Sequence, residues 1–144
     1  FFFKQKTAYE IRNCDWSSDV CSSDLAVNLI VFSLNSAVAE GLAIAQKSGI
    51  DPQVAYDVFE NSVVAAPLVN YKRAAFLDPS VPVAMSLSLS GKDLDLITDL
   101  AEQCGVPVGV ARAVSDQIAN ACAAGFGGQD MAALARFLEG NGPE

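Results

Sequence analysis

From Leu25 to Gly49 the chain reads LAVNLIVFSLNSAVAEGLAIAQKSG, with apolar residues on nearly every side of a helical wheel. A helix apolar all round is expected to be buried, in a protein core or in a membrane. Asn28 and Asn35 interrupt it on one face, a heptad apart. Gly49 is placed to close the helix. Asp51-Pro52 starts the next one, because Asp caps free N–H groups and Pro is preset for the first turn. Val54, Ala55, Val58 and Phe59 give that second helix its apolar face, and it ends near Asn61-Ser62. A third helix follows Pro67, with Leu68, Val69, Ala75 and Phe76 inward and Lys72-Arg73 outward. Asp78-Pro79-Ser80 is a turn.

Val81 to Ser90, VPVAMSLSLS, alternates like a strand. An isolated strand would have no partner, since every other segment has helical period. The segment is therefore read as an extended approach through Pro82 followed by helix. Leu89, Leu96, Ile97, Leu100 and Cys104 form that helix's stripe, and Gly105 suits its C-terminal cap. Pro107 opens the next helix, with Val110, Val114, Ile118 and Ala121 inward and Arg112, Asp116 and Asn120 outward. Gly125, Gly127 and Gly128 read as a flexible break. Asp130 then caps a last helix carrying Met131, Leu134, Phe137 and Leu138, ending at Gly140. The pattern predicts an all-α domain, a compact bundle of five to six helices around the long first one.

Composition narrows the function. The 144 residues are 51% hydrophobic, too apolar for a disordered chain. A net charge of −8 argues against nucleic acid or an anionic membrane surface as partner. The absence of His removes the usual general base and the commonest zinc ligand. Leu25 to Ala45 is long enough to span a bilayer. Asn28, Asn35, Ser36 and Glu40 interrupt it and no Lys/Arg cluster flanks it, so it is read as part of a soluble, cytoplasmic protein.

Residues 1–25 do not match the rest of the chain. They hold the only Trp (Trp16), two of the four Cys and three consecutive Phe, and they show no periodicity. No apolar core or cleavage site marks a signal peptide. The runs Lys4 to Glu10 and Asp15 to Leu25 resemble the translation of a sequencing-library adapter around a variable index. The expectation is that this segment is adapter-derived and foreign to the fold, and that residues 26–144 are the domain. The first 24 residues contribute three positive and four negative charges, so the remainder carries −7. Cys104 and Cys122, each in a helical pattern, are read as small buried hydrophobes of a reduced compartment.

Three features carry candidate chemistry. Asn28 is an amide in an apolar turn, either hydrogen-bonded to a neighbouring helix or facing a ligand. Lys92-Asp93 follows Ser88-Leu89-Ser90-Gly91 and is either a solvated charge pair or an ammonium at a cleft. The loop Gly125 to Asp130 lacks the spacing and preceding strand of a dinucleotide fingerprint and reads as a helix connection. No nucleophile–base pair, metal cluster or phosphate loop stands out.

Leu25-Ala26-Val27-Asn28, Glu40-Gly41-Leu42-Ala43, Ser48 to Pro52, Gly91 to Leu96, Cys104 to Val108 and Gly125 to Leu134 recur in an order that resembles the C-terminal domain of the 3-hydroxyisobutyrate dehydrogenase family. The resemblance covers essentially all of residues 25–144. It implies a helical domain like that of 6-phosphogluconate dehydrogenase. It also implies an N-terminal Rossmann domain lying outside this chain, NAD or NADP as cofactor, a small β-hydroxyacid or semialdehyde as substrate, and a homo-oligomer, commonly a dimer. The family's catalytic Lys lies four residues before the Asn that Asn28 matches, one helical turn away on the same face. That position is Asp24, which the adapter reading treats as foreign. Asn28 is then the substrate-binding residue, Lys92 the cofactor-binding residue and Asp93 its orienting companion. Met85 stands where a Phe is usual. By this reading the chain is a fragment, inactive alone. A non-catalytic scaffold built on the same fold, or an unrelated helical interaction domain, are the alternatives.

Overall fold

The computed structural model describes residues 19–143. Among them are α1 (Asp19–Lys47), α2 (Pro52–Glu60), α3 (Pro67–Leu77), α4 (Leu87–Gln103), α5 (Gly109–Ala121) and α6 (Leu134–Glu139). A π-helical turn, Cys122–Phe126, and a 3₁₀ turn, Met131–Ala133, lead from α5 to α6. No strand occurs among the described residues, so the domain is all-α, as the periodicity predicts. The alternating stretch after Pro82 carries one isolated antiparallel bridge, Ser86 to Asp130, and then becomes α4. Residues 1–18, most of the segment read as adapter-derived, lie outside the described residues; α1 starts at Asp19, ahead of the expected Leu25.

α1 is the axis of the bundle, and each of the other helices packs against it. Leu25, Asn28, Phe32, Asn35, Ala39 and Leu42 are all buried, at alternating steps of three and four residues. That spacing makes one stripe along a 3.6-residue helix. Asn35 donates from Nδ2 to the Met131 carbonyl at 2.9 Å, tying the stripe to the 3₁₀ turn. The opposite side departs from the expected all-round burial. Val27, Ile30 and Ile44 are 57%, 66% and 68% exposed. The helix has two apolar faces and this domain covers one.

The caps form where the sequence places them. Asp51 Oδ1 accepts from Gln53 N at 2.8 Å and Val54 N at 3.3 Å. Gly49, Gly105 and Gly140 take positive φ just past the ends of α1, α4 and α6, which L side chains rarely adopt. The glycine-rich segment is more ordered than the expected break. Gly125 has φ +97°, Phe126 is buried, and a Cβ on Gly127 would lie 2.6 Å from Ser88 Oγ. Gly127 is there to let the backbone approach α4.

Several inward assignments change. On α2, Ala55 and Tyr56 are buried while Val54 and Val58 are exposed. The large aromatic decides the rotation of this short helix. Tyr56 donates to the Val69 carbonyl at 2.9 Å and its ring lies 5.7 Å from that of Phe76. On α3, Lys72 is buried rather than outward, whereas Arg73 is partly exposed and bridges Asp57 and Glu60 of α2. On α4, Leu87, Ser90, Asp93, Leu94, Ile97 and Ala101 form the buried side, and Leu89, Leu96 and Leu100 are half-buried. Val110 is exposed. Both remaining cysteines are free thiols: Cys104 is exposed just past the end of α4, and Cys122 is half-buried against the core.

Leu42 is fully buried on the covered stripe. Leu42→Ala is expected to lower stability by about 2–5 kcal/mol, read as a reduced urea midpoint. The exposed partner change Ile44→Ala is expected to move it by less than about 0.5 kcal/mol.

Candidate functional site

α4 begins at a junction of two loops. Its first free N–H groups are satisfied from outside the helix: Leu87 N donates to the Gln129 carbonyl at 3.0 Å and Ser88 N to the Gly127 carbonyl at 2.9 Å. Leu89 N is capped by Ser86 Oγ at 3.2 Å. Asp130 anchors the same loop. Its Oδ2 accepts from Ala84 N at 3.0 Å and Met85 N at 3.3 Å, and its Oδ1 from Ala132 N at 3.0 Å. Met131 N returns a bond to the Met85 carbonyl at 2.8 Å.

The Lys72 ammonium reaches both Asp130 oxygens, at 2.8 and 2.9 Å, with Lys72 only 3% exposed. Burial by itself would raise the Asp130 pKa. The hydrogen bonds from Lys72 and from the Ala132 and Ala84 amides outweigh it and hold the carboxyl below its ordinary range. Local pattern gives Asp130 only a capping role and turns Lys72 outward. The missed signal lies in spacing: Val69, Lys72 and Phe76 fall at i, i+3 and i+7, a buried stripe with a Lys in its middle.

Lys92 and Asp93 sit in the second turn of α4 and face apart. Lys92 is exposed and makes no ion pair among the described residues. Asp93 is fully buried, and neither carboxylate oxygen has a hydrogen-bond partner among the described residues. Desolvation pushes its pKa from 3.8 up to about 6. The adjacent pair is thus not the solvated ion pair that sequence alone allowed. A buried carboxylate with no donor is costly to ionise.

On α1, Asn28 is buried and Asp24, one turn earlier, is half-buried. α1 and α4 pack against each other, so Asn28 and Asp93 belong to neighbouring core-facing helices. Met85 is buried at the junction with Asp130. A cavity of about 150 Å³ opens beside Asp130, between Ala75, Pro79, Val81, Val83 and Arg136. None of Asn28, Lys92 or Asp93 lines it. Among the described residues no cluster of His, Cys, Asp and Glu could hold a metal ion. Nor does a strand lead into a glycine-rich phosphate loop among them. Of the residues present, the exposed Lys92 ammonium is the one suited by charge to meet a phosphate, and the buried Asp93 carboxylate is not.

The fold is that of an all-helical domain. Residues 24–138 match the family described as NAD-binding of NADP-dependent 3-hydroxyisobutyrate dehydrogenase, and the chain belongs to that family. It is 30% identical over 115 residues to the chloroplastic glyoxylate/succinic semialdehyde reductase 2 of Arabidopsis thaliana, covering 80% of this chain and 32% of that protein. It is 28% identical to the cytokine-like nuclear factor N-PAC of Aedes aegypti, covering 94% of this chain and 26% of that one. Its fold is similar to that of a 3-hydroxyisobutyrate dehydrogenase from Salmonella typhimurium, with a TM-score of 0.76 at 23% identity, over 81% of this chain and 41% of the other. The chain spans about a third of the length of the curated relatives it matches.

The two buried carboxylates predict opposite pH behaviour. Asp93 has a raised pKa when folded, so its contribution is most favourable below about pH 4 and declines as pH rises to about 6. Asp93→Asn is therefore expected to exceed the parent in stability at about pH 8 by roughly 2–3 kcal/mol, the gap closing toward pH 4, in paired urea titrations. Asp130 has a lowered pKa, so its contribution is present at neutral pH and lost as pH falls through that value. Asp130→Asn strands the buried Lys72 charge and is expected to cost about 3–5 kcal/mol at neutral pH in the same titrations.

Proposed function

We propose that this chain is the helical C-terminal part of an NAD(P)-dependent dehydrogenase acting on small β-hydroxyacids or the matching semialdehydes. The observation that carries the reading is Asp93, a buried carboxylate without a donor, next to the exposed Lys92 in a chain of this family. The names of the plant relative and of the Salmonella structure both denote chemistry at a carbon near a carboxylate, which supports a small hydroxyacid as substrate.

In this reading Asn28 holds the substrate and Lys92 meets the cofactor, whereas Asp93, the expected orienting companion of Lys92, faces away from it and meets no donor among the described residues. NAD(P), when bound, supplies the hydride acceptor or donor. The proton at the substrate oxygen falls to a Lys in the position of Asp24, one turn before Asn28, where a four-residue step keeps both on one face. We assign residues 1–24, Asp24 included, and part of the Leu25 codon to adapter sequence that here runs on into α1, whose Leu25 is buried, and residues 26–144 to the domain. The chain is then inactive alone in a cytoplasmic protein free of nucleic-acid and membrane contacts. The open face of α1, with Val27, Ile30 and Ile44, is the side a Rossmann domain and a second subunit would cover. α1 meets the length and hydropathy of a membrane span, a test that a buried core helix also passes. A non-catalytic scaffold is the second reading, favoured by the likeness to the nuclear factor.

The gene amplified from source DNA without adapter chemistry decides between them. The enzyme reading expects a Lys codon where Asp24 stands, and the scaffold reading expects none. In the enzyme so recovered, Lys92→Ala is expected to raise the KM for the nucleotide by about tenfold or more, with a smaller change in kcat. Nicotinamide-dependent oxidation of 3-hydroxyisobutyrate by residues 26–144 alone would overturn the assigned roles. The isolated chain is expected to associate at micromolar concentration, and a monomer in sedimentation would count against the open-face argument.

A further inference from the structure

We propose that the Lys72–Asp130 ion pair is the positioning device of the Lys92–Asp93 turn, acting by pinning the Gly127–Asp130 loop onto the start of α4. The inference rests on the reading that Lys92 and Asp93 serve the site, and it assigns Lys72 and Asp130 a role through them.

The donors that start α4 are met by the carbonyls of Gln129 and Gly127, which belong to an irregular loop. A helix whose first N–H groups depend on a loop is only as fixed as that loop. The loop is held at its end by Asp130, which binds backbone amides on both sides of the junction, Ala84 and Met85 on one and Ala132 on the other. A carboxylate drawn into the core to do this needs a countercharge, and Lys72 supplies it from α3. The close approach at Gly127 leaves no slack, since even a Cβ there would meet Ser88 Oγ.

α4 then runs on as a regular helix, and Gly91 seats against Ile118 of α5, a Cβ there lying 3.6 Å from the Ile118 methyl. A helix is stiff over two turns, so a displacement of its first turn is carried to Lys92 and Asp93 bodily. α3, by contrast, makes its ionic contact with the junction through this ammonium. Its burial is hard to explain as stability alone, because a buried ion pair is on average no better than an apolar pair of the same volume.

The test uses the full chain and avoids stranding one charge. Lys72→Met with Asp130→Asn removes both charges together and keeps an amide acceptor at the junction. Amide exchange at Ala84, Met85, Leu87 and Ser88 is expected to accelerate by about tenfold or more relative to α5. The Asp93 carboxyl, followed by carbon-detected NMR, is expected to titrate closer to its ordinary value of 3.8 than the parent's value of about 6, as water reaches a displaced α4. Tyr56→Phe, which breaks a bond between α2 and α3 instead, should leave the Asp93 titration unchanged. A paired variant that folds and keeps the parent's Asp93 titration would overturn the proposal, even if the junction amides exchange faster.

In the unmodified chain, the junction amides and those of α4 as far as Ile97 are expected to open together as one unit in native-state exchange. Independent opening of the junction would also overturn it, whether or not the paired variant folds. Neither readout involves a cofactor or substrate. A failure here therefore leaves the dehydrogenase reading standing, and loss of that reading through the Asp24 codon leaves these results interpretable.

Discussion

α1 is apolar on two opposite faces, and a domain this small can wrap only one of them. The covered face takes Leu25, Phe32, Ala39 and Leu42 into the core, with Asn28 and Asn35 at matching steps of the same stripe. Every other helix leans on it. The remaining architecture follows from keeping that stripe dry: the other five described helices all pack on α1, and the turns after α5 fold back so that Met131 can meet Asn35. The uncovered face keeps the large apolar side chains of Val27, Ile30 and Ile44 in water.

Two buried carboxylates show how differently one core treats the same group. Asp130 is surrounded by donors, an ammonium and three backbone amides, and stays ionised. Asp93 has none among the described residues and is pushed toward its neutral form. The first arrangement fixes a junction. The second leaves a group whose charge is disfavoured by burial alone. They are linked through α4, because the loop that Asp130 holds caps the helix that carries Asp93.

Much of this was legible in the chain. Asp51-Pro52, Gly49, Gly105 and Gly140 marked helix ends because capping is a local matter of φ, ψ and a few N–H groups. The alternating run at Val81 to Ser90 could be rejected as a strand because nothing else in the chain could pair with it. Rotation about the helix axis was harder. α2 turns Tyr56 inward and leaves Val54 and Val58 outside, because the phenol finds the Val69 carbonyl and the Phe76 ring only in that orientation. Lys72 was misplaced for a related reason. A charge reads as outward unless its partner is known, and its partner lies 58 residues along the chain. Asn28, Lys92 and Asp93 stood out by residue type and surroundings and took their roles from the resemblance, while the buried state of Asp93 and its separation from the exposed Lys92 came only with the fold.

By itself the sequence determined the all-α class, most helix ends and the family, though not the start of α1 at Asp19 or the 3₁₀ turn before α6. These depend on periodicity, on caps and on the order of short motifs, all of which act or are read over one or two turns. The tertiary structure alone decided which of two apolar faces of α1 is covered, which of two adjacent charges on α4 is buried, and that Lys72 and Asp130 meet. Each of those outcomes is set by desolvation, whose sign for a given side chain depends on what distant segments place against it.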